Sequence, residues 1–127
     1  MNTEIKNSPL KMTNLHFPVC SVHRNDYVSE GELSISVRKE IIPIKNHSYS
    51  VTIILDAERK ETADLSIHVE ANAVFYFEGS DPEIEKELIS KNAVAIMMPY
   101  VRSQVTILTS QPNLKPVILP IFNVTNA

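Results

Sequence analysis

The stretch Asn92–Gln111, NAVAIMMPYVRSQVTILTSQ, places the tightest constraint on how this chain can fold. Val94, Met97, Met98, Val101, Val105 and Leu108 recur at helical spacing and form one continuous apolar stripe. Ile96, Tyr100 and Ile107 lie off that stripe, so a helix here is apolar on more than one side and needs more than one cover. Val94, Met97, Val101, Val105 and Leu108 are expected to face the chain's own sheet. In a chain of 127 residues the second cover is expected from another subunit, with Ile96, Tyr100 and Ile107 at the oligomer interface. Val101, Val105, Thr106, Ile107 and Thr109 are β-branched, so propensity alone leaves a strand open, while the periodicity favours helix. Pro99 is expected to kink or restart the helix.

The sheet for that helix is read upstream. Leu65, Ile67, Val69, Ala71, Ala73, Phe75 and Phe77 share one parity against polar Asp64, Ser66, His68, Glu70, Asn72 and Glu78, which predicts one long strand. Leu33, Ile35 and Val37 alternate with Glu32, Ser34, Ser36 and Arg38, and Val51, Ile53 and Leu55 alternate with Thr52 and Asp56. Leu15, Phe17 and Val19 alternate with His16, Pro18 and Cys20, and Pro18 makes this an edge or bulged strand. Ser80-Asp81-Pro82-Glu83 reads as a helix start, with a capping side chain, proline in the first turn and carboxylates at the positive end of the dipole. Residues 1–11 are expected to be a mobile segment and 12–127 a single domain. After Pro112 the tail Lys115–Val124, broken by Pro116 and Pro120, is expected to be extended and docked. The fold class is α+β: a four-stranded antiparallel sheet with a kinked helix packed on one face, in an oligomer.

Most chemistry is absent from the pattern. The net charge of −3 and the scattered Lys and Arg remove the footprint of a nucleic-acid binder. Two glycines argue against phosphate-cradling loops, and no cofactor is implied. With Cys20 alone there is no internal disulfide, and no apolar run approaches the roughly 18 residues of a membrane span, so a cytoplasmic protein without membrane insertion is expected. His16, Cys20 and His23 invite a metal, but on a strand the first two stand about 13 Å apart, too far to share one ion. Asp81, Glu83, Glu85 and Glu87 are better explained by a solvated helix start than by acid–base work. No nucleophile or acid–base set suggests an enzyme. What remains unusual is apolar and adaptable: Met97, Met98, Pro99 and Tyr100, with Phe75, Phe77, Ile118, Leu119, Ile121 and Phe122, supply either an open client-binding groove of the kind used at promiscuous binding sites or, in the plainer alternative, the core.

Met98-Pro99-Tyr100-Val101-Arg102 resembles the Phe-Pro-Tyr-Ala-Arg segment of the SecB family of protein-export chaperones, and Asn113-Leu114-Lys115-Pro116-Val117 resembles its Asn-Leu-Ala-Pro-Val segment. Val51-Thr52-Ile53, Glu61-Thr62-Ala63-Asp64-Leu65 and Val74-Phe75 are similar to that family's third and fourth strands. The resemblance implies a dimer of dimers with the main helices between sheets. It also implies a holdase that wraps unfolded preproteins in apolar grooves without ATP and passes them to the SecA motor through an acidic outer face, here Asp64 and Glu70. Two departures matter: Pro120 interrupts the place of the family's second long helix, and the fourth-strand motor site falls on Ile67 or His68. Some SecB-like proteins instead serve as dedicated chaperones of antitoxins. The alternatives carried forward are therefore a general holdase, a chaperone or adaptor for one client, and a structural oligomer whose tail fills its own groove.

Overall fold

The computed structural model describes residues 9–25, 32–59, 64–112 and 115–120. Four antiparallel strands, β1 (Leu10–Arg24), β2 (Ser34–Lys45), β3 (Ser48–Glu58) and β4 (Leu65–Phe77), form one sheet in the order β1-β4-β3-β2. Period-two patterning decides the faces. Leu65, Ile67, Val69, Ala71, Ala73, Phe75 and Phe77 of β4, with Val51, Ile53, Leu55 and Ala57 of β3, are buried on the inner face. Removing a side chain such as Phe75 or Ile53 from water contributes about 1.5–3 kcal/mol.

β1 departs from simple alternation. Its register against β4 shifts twice, between Thr13 and His16 and between His16 and Val19. In each interval three steps along β1 match two along β4, one extra residue each time. The parity therefore flips: Val19 pairs with outer-face Glu70 and is exposed, whereas Cys20 pairs with inner-face Val69. The sequence expectation that Val19 shares a face with Leu15 and Phe17 is thus corrected. Pro18 sits in an edge strand beside the second shift, where a missing N–H is tolerated. The strand begins at Leu10, buried and paired with Phe77, earlier than the Met12 start read from the sequence.

The helical segment runs from Pro82 to Thr109 as α1 (Pro82–Glu87), a π-helical turn (Leu88–Asn92) and α2 (Ala93–Thr109). Asp81 caps α1 by accepting from the Glu83 and Ile84 amides, and Pro82 opens the first turn. Gly79 leaves room just before it, since a Cβ there would stand 2.6 Å from the Phe77 ring. The helix does not restart at Pro99, since α2 continues through it, and the break in α-helical hydrogen bonding is the π turn, where the Ala93 amide bonds the Leu88 carbonyl. Lys39, an inner-face residue of β2, donates to the Ser90 carbonyl of that turn at 2.7 Å.

α2 lies on the inner face with Ala93, Val94, Met97, Met98, Val101, Val105 and Thr109 buried and Leu108 packed against the same core. Valines of low helix propensity hold helical conformation because their buried stripe meets the sheet, and packing outweighs a propensity deficit of tenths of a kcal/mol, about 0.7 at most. The second apolar set divides. Ile96 packs against the core, while Tyr100 and Ile107 are 49% and 65% exposed.

Candidate client-binding surface

The surface is built where α2, the end of β1 and the segment 115–120 meet. Arg24, on the inner face at the end of β1, donates to the Thr109 carbonyl at 2.9 Å and to the Lys115 carbonyl at 2.6 Å. It thereby satisfies one of the orphan carbonyls at the C-terminus of α2 and fixes where the following chain turns back. The Val117 N–H donates to the Thr109 hydroxyl at 2.7 Å, and that hydroxyl donates to the Val105 carbonyl at 2.8 Å. The Thr106 hydroxyl stands 3.1 Å from the Val117 carbonyl oxygen and 3.2 Å from that of Arg102. Both main-chain groups of Val117 are thus engaged by hydroxyls one helical turn apart. Leu119 is inserted into the core and Ile118 points out, 76% exposed.

Beside this docked segment is a recess of about 380 Å³ lined by Pro99, Arg102, Ser103, Thr106, Ile107, Ile118 and Leu119. Its walls are aliphatic except for the Thr and Ser hydroxyls and the Arg102 guanidinium. Such a lining suits an extended apolar segment with main-chain groups to satisfy.

The residues read from the sequence as groove surface therefore separate. Pro99 and Ile118 are exposed and line this recess, while Tyr100 is exposed on α2 outside its lining. Phe75, Phe77, Met97, Met98 and Leu119 are buried in the core of the chain and offer no open surface as the fold stands, because they share the inner parity of β4, the buried stripe of α2 or the site under the tail. Ile121 and Phe122 lie outside the described residues. Thr106, Thr109 and Arg24 were missed. The one sequence signal was a hydroxyl, Thr109, on an otherwise aliphatic stripe, and its partners are distant in the chain.

The outer face carries a different chemistry. His68 Nδ1 stands 2.5 Å from Asp56 Oδ1 and Nε2 stands 2.8 Å from Glu70 Oε2, and hydrogen bonding to Asp56, then to Glu70, raises the imidazole pKa above its ordinary value. Next to it Asn72 donates to the Ser50 and Thr52 hydroxyls at 3.0 and 2.9 Å. Asp64, read from the sequence as part of an exposed acidic face, is instead buried, with a carboxylate oxygen 3.5 Å from Arg59 Nη1. The residue falls at the loop end of β4, where burial against an arginine replaces solvation.

At the opposite end of the helix, Glu85 accepts from the Tyr49 hydroxyl and lies 2.5 Å from His47 Nδ1. These contacts hold its carboxyl below the usual carboxylate range and push the Tyr49 phenol up. Glu85 is therefore more than a solvated charge at a helix start. Among the described residues no group of three His, Cys, Asp or Glu is arranged to hold a metal, and no helix is long and apolar enough to cross a membrane.

No protein-family model matches the chain. An uncharacterized protein of Methanocaldococcus jannaschii is 31% identical over 97 residues, 72% of this chain and 63% of that protein, so the match spans less than two thirds of the relative's length. Among solved structures, a SecB-like chaperone of Mycobacterium tuberculosis, in complex with a peptide from an antitoxin, is similar with a TM-score of 0.71 over 90% of this chain and 88% of that one, at 16% identity. A protein of unknown function from Streptococcus agalactiae is similar with a TM-score of 0.51 at 12% identity, over 88% of this chain and 97% of that one. The architecture is that of the SecB-like chaperone: a four-stranded antiparallel sheet with one helical segment packed on it.

Proposed function

We propose that the chain is an ATP-independent chaperone that holds extended, apolar polypeptide segments on the surface around α2. The observation that carries this reading is the recess between α2 and the docked segment, lined in part by exposed Pro99, Ile107 and Ile118. Many weak aliphatic contacts of this kind give avidity without sequence specificity when several copies act together. A homo-oligomer, as a dimer of dimers, belongs to the same proposal, with exposed Tyr100 and Ile107 rather than core-packed Ile96 toward the neighbouring copy. A second reading, a dedicated chaperone for one client, draws support from the similar SecB-like chaperone, which was solved with an antitoxin peptide. The proposal stops short of a SecA-type motor partner: Asp64 is buried beside Arg59, and Glu70 already faces His68.

The test is aggregation of a chemically unfolded client with the purified chain at near-stoichiometric ratio, together with solution mass with and without client. Slowed aggregation of several unrelated clients supports the general holdase. Effect on a single client supports the dedicated form, and no effect on any of several slow-folding clients overturns the general one.

A further inference from the structure

We infer that the Thr106–Thr109 face of α2 is a main-chain-reading peptide site that residues Val117–Leu119 occupy in cis, so that clients bind there by displacing the chain's own segment. The inference rests on the chaperone reading and adds how its site is closed and what opens it.

The geometry is that of a bound peptide. One residue, Val117, has its N–H and C=O both met by hydroxyls from successive turns of α2, a contact that reads main chain and is indifferent to side chain. Two residues on, Leu119 supplies the aliphatic anchor, 2% exposed, while Ile118 between them faces solvent. Hydroxyl, hydroxyl and aliphatic pocket together define the ligand class: an extended segment with a branched aliphatic residue two positions after the one held by its main chain. Pro116 and Pro120 flank the occupied stretch and have no N–H to donate, so the segment adds no ladder of its own that would lock it in place. The only further polar tie among the described residues is Arg24 to the Lys115 carbonyl. A ligand tethered this close acts at about millimolar effective concentration. Client affinity is then the intrinsic affinity multiplied by the fraction of time the segment is unseated.

The native full-length chain gives the first test, by amide hydrogen exchange at Val117 with reduced, carboxymethylated α-lactalbumin as a permanently unfolded client. Val117 is expected to be protected in the free protein and to lose protection at saturating client; protection retained at saturation overturns the inference. In the second test, Leu119→Ala and Arg24→Gln loosen the segment and are expected to bind the same client about tenfold more tightly than the native chain. The free hexapeptide Lys-Pro-Val-Ile-Leu-Pro, matching residues 115–120, is expected to compete that gain away. Folded variants that bind no more tightly than a client-binding native chain overturn the cis-occupied site and leave the chaperone reading standing. Absence of client binding by the native chain and both variants overturns both.

Discussion

His68 and Asp56 face each other across β4 and β3, with Nδ1 2.5 Å from Oδ1, while the opposite ring nitrogen lies 2.8 Å from Glu70. A neutral imidazole carries one N–H and one lone pair, so either neutral tautomer turns a lone pair toward a carboxylate. Only the imidazolium satisfies both partners, which is why the group binds its proton more tightly than usual.

The sign of the pH dependence follows. A histidine whose pKa is raised by folding contributes stability that is fully present below the unfolded value of about 6.5 and is lost as pH rises through the raised folded value. The native chain is therefore expected to lose stability relative to His68→Gln on going from pH 6 to pH 8.5, by roughly 0.2–1 kcal/mol for a half-exposed pair. Denaturant unfolding of both proteins across that range checks it; parallel curves would remove the imidazolium from the account.

The strands most legible in the sequence were those with unbroken parity. Leu65–Phe77 could be assigned to one face because every second residue is apolar, and the structure keeps all seven buried. β1 was misread beyond Pro18 because a bulge adds a residue without altering the local pattern, and parity after it flips. The π turn at Leu88–Asn92 left no trace either, since one extra residue per turn is a backbone event that short apolar spacing does not resolve. For the site, alternation said which residues share a face but not which face another element covers. Phe75 and Phe77 fit a groove and a core alike on sequence grounds, and their shared parity with the rest of β4 puts them in the core. Thr106 and Thr109 gain their meaning from Val117, and Arg24 from Lys115, 91 residues away. Long-range pairs of that kind have no local signature.

The two sides of α2 are expected to respond oppositely to truncation. Met97 is fully buried, and Met97→Ala is expected to cost about 2–5 kcal/mol through lost transfer energy and the cavity left behind. Ile107, 65% exposed, is expected to change monomer stability by less than about 0.5 kcal/mol when replaced by Glu, while lowering the mass of any assembly that uses this face. Unfolding curves combined with solution mass separate the two effects. An Ile107→Glu chain with unchanged mass, from a native chain that is oligomeric, would take this face out of the interface.

Pro99 stands in the interior of α2 with its ring in solvent, where it can donate no bond to the Ala95 carbonyl. Pro99→Ala restores that donor without disturbing the buried stripe, and is expected to raise stability by up to about 3 kcal/mol. The gain is read as a shift of the denaturation midpoint at constant slope. Because Pro99 also lines the recess, weaker client binding by this more stable variant would mark the ring as a contact retained at the expense of helix stability.

The last prediction concerns the latch between α1 and the β2–β3 turn. His47 sits in the left-handed region at φ 64°, a conformation that costs a non-glycine residue energy, and its carbonyl accepts from the Phe77 amide at 2.8 Å. That backbone placement brings its ring to Glu85, to which the Tyr49 hydroxyl also donates. The carboxyl pKa is lowered by folding, chiefly through Tyr49 and then His47, so this contribution is present above the unfolded value of 4.5 and lost as pH falls through the folded one. The phenol pKa is raised, chiefly by the hydrogen bond to Glu85, so that contribution is present below 10.0 and lost as pH rises through the folded value. Both are in place only between these limits. Tyr49→Phe removes the donor and keeps the inner-face packing, so exchange of α1 amides is expected to quicken while that of β4 amides does not. Acidification below pH 4.5 is expected to do the same to the native chain. If β4 amides quicken in step with those of α1, the contact is part of the global fold and the helix start has no separate latch.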